Sequence, residues 1–278
     1  YGDDTSRLTE LAEEVERRVR DDHAAEVLVI GADLSQRDEP FRLVDEVAAH
    51  FGRLDVAISN SGVANYVRGD DGAPIRHRFH ECPPEHLDRE MARVLDLNLL
   101  GAYRFGQRAL KHMIDAASAE ATAGSAVRHR SILFITSISD VAPEATRIPY
   151  GVSKAGLSHA VLGAAFEGGR HNITVNALRP GVVDTPLTAR PSGVTDSDTG
   201  REYTVAEIYG LMAEGGSQAL PRIGAPEDIA VAAYAFTHIP YMTGQLVAVD
   251  GGFTLVNGFP NRDLFLREGL RRRRGQAP

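Results

Sequence analysis

The chain has 278 residues, of which 43% are hydrophobic, and its formal net charge is −8. This size suits one large domain with a sizeable core. Because the net charge is negative, the composition gives no sign of the basic surface that binds nucleic acid. No apolar run approaches the roughly 18 residues that a membrane span needs. The single cysteine, Cys82, excludes an internal disulfide and suits a reducing compartment, so we expect a cytoplasmic protein.

Helical patterns alternate with short apolar runs, which indicates an α/β protein. The predicted elements, in chain order, are helices over residues 5–20 and 40–50, separated by a strand over 27–30, then a strand over 54–59, a helical region over 85–116, a polar connection over 116–130, a strand over 132–135, a helix from 150, a strand over 173–177, helices over 205–214 and 226–236, and a strand over 246–249.

Three polar residues in the middle of the chain form the candidate catalytic group. Tyr150 and Lys154 lie four positions apart and share one face of a helix, while Ser137 follows a strand that can direct its hydroxyl toward that face. A free tyrosine has a pKa of about 10, and an adjacent ammonium stabilises a phenolate. Such a pair suits general acid–base catalysis at an alcohol oxygen. A tyrosine and a lysine at this spacing are common by chance, so the interpretation depends on the surrounding motifs.

Those motifs occur at matching places. They are Asn60-Ser61-Gly62 after a strand, Asn98 in a helix, the run from Pro180 to Thr185 after another strand, the run from Arg222 to Asp228, and Asp250-Gly251-Gly252. With Ser137 thirteen positions before Tyr150, they make the chain resemble the classical short-chain dehydrogenase/reductase family from residue 1 to about residue 253. The resemblance implies a single domain with a Rossmann-like, doubly wound parallel sheet. It also implies NAD(P)(H)-dependent interconversion of a ketone and a secondary alcohol.

The resemblance also assigns roles to individual residues. The catalytic set is Asn98, Ser137, Tyr150 and Lys154, in which Tyr150 transfers the proton, Ser137 orients the substrate oxygen and Asn98 supports a water path to Lys154. The cofactor set is Asp33, Leu34, Asn60, Ser61, Gly62, Tyr150, Lys154, Pro180, Gly181, Val183 and Thr185. For Asp33, capping of the next turn is an equally good explanation.

The start of the chain departs from the family. No glycine-rich turn for the cofactor pyrophosphate is present, and Tyr1 matches the end of the family's second strand. We therefore expect that roughly 30–40 residues, the size of a βα unit, precede Tyr1 in the intact protein. An acidic residue at the end of the second strand selects NAD. Because Tyr1 stands there, NADP(H) is favoured over NAD(H), although Asp3 and Asp4 oppose a 2′-phosphate.

Three further segments carry predictions of their own. Residues 65–84 form an insertion expected to border the substrate mouth; it contains His77, His80 and Cys82, but the spacing lacks a paired Cys-x-x-Cys and a zinc site is not favoured. Residues 186–222 are expected to form a mobile lid over the substrate. Residues 254–278 form a tail in which Arg271 to Arg274 predict a solvated, frayed end.

Two other functions compete with the oxidoreductase. A catalytically impaired, dinucleotide-binding scaffold is consistent with the missing glycine turn but not with the complete catalytic set. An epimerase or dehydratase of the extended branch would need a larger substrate domain. The partners expected are a small carbonyl or alcohol substrate and further copies of the chain, as a homotetramer or homodimer, with neither nucleic acid nor membrane.

Overall fold

The computed structural model describes residues 26–64, 67–68, 74–75, 77–196, 199–256 and 262–274, and single helical positions at 10, 13–15 and 17. Its elements are α1 (Glu39–Phe51), β1 (Val56–Ser59), β2 (Val67–Arg68), β3 (Pro74–Ile75), α2 (Pro84–Leu95), a π-helical segment (Asp96–Gly101), α3 (Ala102–Thr122), β4 (Arg130–Ile135), a 3-10 turn (Ile138–Asp140), α4 (Ile148–Gly169), β5 (Ile173–Pro180), β6 (Pro191–Thr195), β7 (Glu202–Thr204), α5 (Val205–Glu214), α6 (Pro226–Thr237), β8 (Leu246–Val249), α7 (Phe253–Val256) and α8 (Arg262–Arg273).

The main sheet contains four strands in the order β1-β4-β5-β8, and every neighbouring pair is parallel. The central strands β4 and β5 are almost entirely buried. Parallel strands covered on both faces read as continuous apolar runs, as ILFI does in β4, whereas in β5 Thr174 and Asn176 alternate with apolar residues. The prediction of a Rossmann-like α/β fold with a parallel sheet is confirmed.

The predicted strand over residues 27–30 is wrong, because this stretch is neither helix nor strand. Leu28 and Val29 are 37% and 50% exposed. A strand needs a hydrogen-bonded neighbour, and within the described ranges no strand pairs with these residues. The predicted helix over residues 5–20 is helical at its described positions, and the rest of it lies outside the described residues.

The helical region predicted over 85–116 differs from expectation in two ways. A π-helical segment, Asp96–Gly101, interrupts it around Asn98, and α3 then continues to Thr122, so the first part of the predicted connection over 116–130 is helical. Asparagine is a poor residue for a helix interior, and π-helical turns are frequent at functional sites. The interruption therefore directs attention to the contacts of Asn98.

The larger of two hydrophobic clusters lies between the sheet and helices α3 and α4. Its fully buried members include Ala109, Met113, Val161, Val175 and Ala177. We call the sheet together with α3 and α4 the sheet region. Its packing places the carboxyl ends of β1, β4 and β5 beside the start of α4, which carries Tyr150.

The smaller cluster joins the hairpin β6–β7 and helix α5 to the C-terminal helix α8, and we call these elements the lid region. Its fully buried side chains, Ile208, Leu211 and Met212, pack with partly buried side chains of α8. A capping box, with Thr204 and Glu207 satisfying each other's backbone, starts α5. The prediction of a frayed tail is wrong at Arg271 to Arg273, because an apolar face of the same helix docks on α5.

No helix in the described part of the chain is long and apolar enough to cross a bilayer.

Candidate active site

A cavity of about 520 Å³ lies at the carboxyl ends of β1, β4 and β5. Ligands of open parallel sheets bind at this edge. The predicted site residues that line the cavity are Asn60, Gly62, Ser137, Tyr150, Lys154, Pro180, Gly181, Val183 and Thr185. Residues separated by more than a hundred positions in sequence thus surround one space.

Tyr150 lies in the first turn of α4, and Lys154 lies one turn later on the same face. The Lys154 ammonium is 5.7 Å from the centre of the Tyr150 ring. Its side chain is buried, and Nζ donates a hydrogen bond of 2.9 Å to the carbonyl oxygen of Ile135, at the end of β4. An ammonium has three donors, so this bond anchors Lys154 while leaving it capable of binding a ligand in the cavity.

Ser137 stands two residues beyond β4 in an extended conformation and caps the 3-10 turn. Its Oγ accepts a hydrogen bond of 3.1 Å from the backbone N–H of Ser139 and donates one of 3.2 Å to Ser139 Oγ. The backbone contact fixes the position of the oxygen. A hydroxyl proton rotates readily, so the donor can turn from Ser139 toward an oxygen in the cavity.

The buried carboxylate of Asp140 holds the 3-10 turn that follows Ser137. Asp140 accepts hydrogen bonds from Ser158 on α4 and, at 2.7 Å, from Nε of Arg179 on β5. The Asp140 side chain is only 1% exposed. The turn after Ser137 is therefore tied to both the helix and the strand that form the cavity.

Asn98 does not line the cavity but holds one of its walls. Its Oδ1 accepts from the Val63 N–H at 2.8 Å, and its Nδ2 donates to the Val63 carbonyl at 2.9 Å. The same Nδ2 donates to Ser153 Oγ at 3.3 Å, and Ser153 Oγ donates to the carbonyl oxygen of Tyr150 at 2.7 Å. Fully buried, Asn98 connects the turn after β1 to the helix that carries Tyr150, so it is not an incidental polar residue.

The predicted cofactor residues divide into two groups. Asp33, Leu34 and Ser61 are absent from the cavity lining, unlike the nine residues named above. The Asp33 carboxylate caps its own turn, because it accepts hydrogen bonds from the hydroxyl and N–H of Ser35 and from Gln36. The Ser35 bonds lower the pKa of Asp33 from its ordinary value. Asp33 therefore caps its own turn, as the alternative explanation predicted.

Four residues that the sequence analysis missed contribute to the site. Ser139 holds the Ser137 hydroxyl, Ser153 links Asn98 to the Tyr150 backbone, and the cavity lining includes Arg147 and Arg190. The guanidinium carbon of Arg147 lies 4.7 Å from the centre of the Tyr150 ring. The only sequence signal for Arg147 was its position three residues before Tyr150; the other three needed the tertiary fold.

The insertion over residues 65–84 contains the hairpin β2–β3. None of its described residues lines the cavity, so its place at the substrate mouth stays a prediction. The rings of His77 and His86 meet, with 3.3 Å between Nε2 and Nδ1. Among the described residues, no group of three or more metal-ligating side chains comes together.

The cavity fits the nicotinamide riboside end of NAD(P)(H). A Cβ at Gly62 would lie 3.3 Å from Asn98 Oδ1 and 3.6 Å from Lys154 Nζ, so glycine keeps space between the turn and the ammonium. Across the cavity, Thr188 Oγ1 donates to the Val183 carbonyl at 2.7 Å and accepts from the Thr185 N–H at 3.0 Å, which orders that loop. Lys154 would hold the ribose, and the loop from Val183 to Thr185 the carboxamide.

Comparison with known proteins agrees with this geometry. The family model described as Enoyl-(Acyl carrier protein) reductase matches residues 5–254. Cis-4-hydroxycyclohexanecarboxylate dehydrogenase of Sinomonas cyclohexanicum is 32% identical over 90% of this chain and 85% of that protein. 3beta-hydroxysteroid dehydrogenase 1 of Eggerthella lenta is 28% identical over 83% of this chain and 75% of that protein.

Solved structures also match. The 3-oxoacyl-(acyl-carrier protein) reductase from Brucella melitensis, crystallised in complex with NAD, superimposes with a TM-score of 0.68 at 28% identity, covering 92% of this chain and 85% of that one. These matches support a catalytic protein over the scaffold alternative. The chain belongs to the classical short-chain dehydrogenase/reductase family, and it is an NAD(P)-dependent oxidoreductase that acts on CH–OH and C=O groups.

Proposed function

We propose that this enzyme interconverts a small-molecule ketone and its secondary alcohol, with Tyr150 as the general acid and base. The observation that supports this most is the convergence of Tyr150, Lys154 and Ser137 on one cavity at the end of the sheet. When bound, the nicotinamide supplies the hydride for reduction and accepts it in oxidation.

In the reductive direction, the Ser137 hydroxyl turns from Ser139 and donates a hydrogen bond to the substrate carbonyl oxygen, which orients the carbonyl. Tyr150 gives its proton to that oxygen as the carbon is reduced, so that C=O becomes CH–OH. The Lys154 ammonium stabilises the phenolate that results. Oxidation of the alcohol uses the same groups in reverse.

Asn98 is proposed to support the return of a proton to Tyr150. The point where a Cβ of Gly62 would stand lies within 3.6 Å of both the Asn98 amide oxygen and the Lys154 ammonium. A water held between these two polar groups would begin the path from Lys154 outward. Its firm contacts with Val63 give Asn98 a second role, in positioning the turn.

The first prediction tests Tyr150 directly. Tyr150→Phe removes the proton but keeps the ring, so turnover should fall at least about a hundredfold, the usual scale for a lost acid–base group. The melting temperature should hardly change. Activity is followed at the nicotinamide absorbance with a panel of ketones and alcohols. Tyr103→Phe, at an exposed position on α3, is the matched control; near-normal activity of Tyr150→Phe would refute the assignment.

NADP(H) is proposed as the preferred cofactor. Tyr1, on which this preference depends, and Asp3 and Asp4, which oppose it, lie outside the described residues. The kcat/KM for NADPH should exceed that for NADH with the same ketone. A higher value for NADH would reverse the assignment.

We also propose a homodimer or homotetramer. Apolar side chains are exposed on α4 and α6, including Phe166 at 73% and Val231 at 72%. Contiguous exposed apolar surface often marks an interface. Light scattering coupled to size-exclusion chromatography should give a mass of two or four chains, and a monomer at working concentration would contradict this.

A further inference from the structure

The cavity is positively charged, although the chain as a whole is acidic. Its formal net charge is −8, yet the charged side chains among the described residues that line the cavity are Lys154, Arg147 and Arg190, with no aspartate or glutamate. A cleft with one sign of charge and low-dielectric walls concentrates ligands of the opposite sign. The lining therefore favours an anionic ligand.

The three cations differ in their surroundings. Lys154 belongs to the proposed catalytic group. Arg147 stacks over the Tyr150 ring and faces Glu144, with 3.3 Å between their charged atoms. Arg190 instead belongs to the segment between β5 and α5, and its carbonyl oxygen accepts the N–H of Val205 at the start of α5. That bond holds Arg190 on the lid side of the cavity.

Apart from Arg190, the lining residues of the cavity on the side of α5 and α6 are largely apolar. Leu187, Val205 and Tyr209 line the cavity from the lid side, and Ile229 and Ala233 line it from α6. A guanidinium in such surroundings binds a carboxylate more strongly than it does in water, and its planar donors match the two carboxylate oxygens. Hydrocarbon walls that carry the Arg190 guanidinium suit a molecule that is apolar except for its carboxylate and its reacting oxygen.

We propose that the substrates are oxo acids and the corresponding hydroxy acids, whose carboxylate binds Arg190 while the carbonyl oxygen meets Ser137 and Tyr150. This inference depends on the proposed ketone reduction and adds the class of substrate. Arg147, close to Tyr150, contributes a second positive charge near the reacting end.

The test compares levulinate with its methyl ester, which keeps the ketone and removes the charge. The wild-type kcat/KM for levulinate should exceed that for the ester at least about tenfold. Arg190→Gln should reduce the value for levulinate at least about tenfold more than the value for the ester. Arg190→Lys keeps the charge and loses the planar guanidinium. Its kcat/KM for levulinate should lie between the values for the wild type and Arg190→Gln. Arg170→Gln, exposed beyond the far end of α4, is the matched control and should keep the wild-type ratio.

Binding is measured separately, by the rise in melting temperature on adding each compound with NADP(H) present. Levulinate should stabilise the wild type more than the ester does, and Arg190→Gln should remove that difference. This readout needs no turnover: if it holds while no ketone is reduced, the proposed function fails and the carboxylate site stands. If the ester is reduced as well as the acid and binds equally, the carboxylate site fails and the ketone reduction stands.

Two further outcomes would overturn the inference. If Arg190→Gln raised the KM for NADPH and affected both ketones equally, Arg190 would bind a cofactor phosphate. The coenzyme A thioester of levulinate carries its negative charge on phosphates. If its kcat/KM exceeded that of the free acid and fell by the same factor in Arg190→Gln, the anion bound by Arg190 would be a phosphate.

Discussion

The sheet region and the lid region meet at one cavity but are held together differently. In the sheet region, backbone ladders and buried polar contacts, such as those of Asn98 and Asp140, position the reacting groups. In the lid region, two helices pack through apolar side chains, and their backbones approach closely at glycines. Under the proposed function, the first region would provide the chemistry and the second would shape the substrate site.

The close approach in the lid region is measurable. A Cβ at Gly269 of α8 would lie 1.9 Å from the carbonyl oxygen of Leu211 on α5, and one at Gly215 would lie 2.1 Å from the carbonyl oxygen of Phe265. No side chain fits at either place without separating the helices. Outside the apolar face, Arg273 pairs with Glu214 at 2.6 Å. Because the Arg273 side chain is 54% exposed and that of Glu214 is 34% exposed, the pair adds little to stability.

The largest expected effect on stability comes from Asn98→Ala, which removes buried hydrogen bonds of the sheet region. The substitution leaves the N–H and carbonyl of Val63 without their partner, and each buried unsatisfied group costs about 1–3 kcal/mol. Stability and turnover should fall together, because the same contacts support the turn and the helix of Tyr150. Urea unfolding and steady-state kinetics measure the two effects.

A second variant sharpens that test. Asn98→Asp keeps an acceptor for the Val63 N–H but cannot donate to the Val63 carbonyl or to Ser153 when ionised. It should therefore also be destabilised. Full stability of Asn98→Ala would mean that the contacts of Asn98 do not hold the turn.

The next effect separates the two regions. Gly269→Leu forces α8 away from α5 and should destabilise the lid region by about 1–3 kcal/mol, the usual cost of overpacking. The KM for substrate should rise more than kcat falls, because the catalytic groups belong to the sheet region. Gly210→Ala, in open space on α5, is the control and should be neutral or slightly stabilising. A fall in kcat with an unchanged KM would contradict this division of roles between the two regions.

The smallest effect lies in the pH dependence of stability, through an ion pair that is remote from the cavity. Hydrogen bonds from Arg108 and His112 on α3 lower the pKa of Asp45 on α1 from 3.8 to about 2. A depressed carboxyl pKa contributes stability that is present above the unfolded pKa and is lost as pH falls toward the folded one. Because the Asp45 side chain is 40% exposed, the contribution should be below about 1 kcal/mol.

Asp45→Asn should therefore lower stability slightly at neutral pH, and its difference from the wild type should shrink as pH falls from about 4 to about 2. Denaturant unfolding across this range measures the difference. Asp115→Asn, which removes an exposed carboxylate of α3 that pairs with Lys111, is the control. A difference that is constant with pH would assign the effect of Asp45 to packing rather than to charge.

Local sequence patterns predicted the central elements well. The strand over residues 246–249 and the helix over 205–214 have the bounds that were predicted, because the pattern of apolar residues identifies them locally. The stretch at 27–30 has the composition of a strand but not the structure. Strand formation depends on a neighbour that may lie far away in sequence, and local composition does not report it.

The catalytic residues were predicted from spacing and resemblance, but the contacts that position them were not. Ser153 and Asp140 look like ordinary polar residues in sequence, and only the fold joins them to Asn98, Ser158 and Arg179. The docking of α8 was missed for a related reason. The run from Arg271 to Arg274 indicates a solvated end, while the apolar side of α8 packs on α5, a helix distant in the sequence.

The amino-acid order by itself determined the alternation of helices and strands, the shared face of Tyr150 and Lys154, and the residue types needed for proton transfer. These properties depend on neighbours a few positions away. Tertiary structure decided that Arg190 belongs to the cavity, that Asn98 holds Val63 and that the C-terminal helix covers α5. Those contacts join residues distant in sequence, and their partners are defined only after the chain has packed.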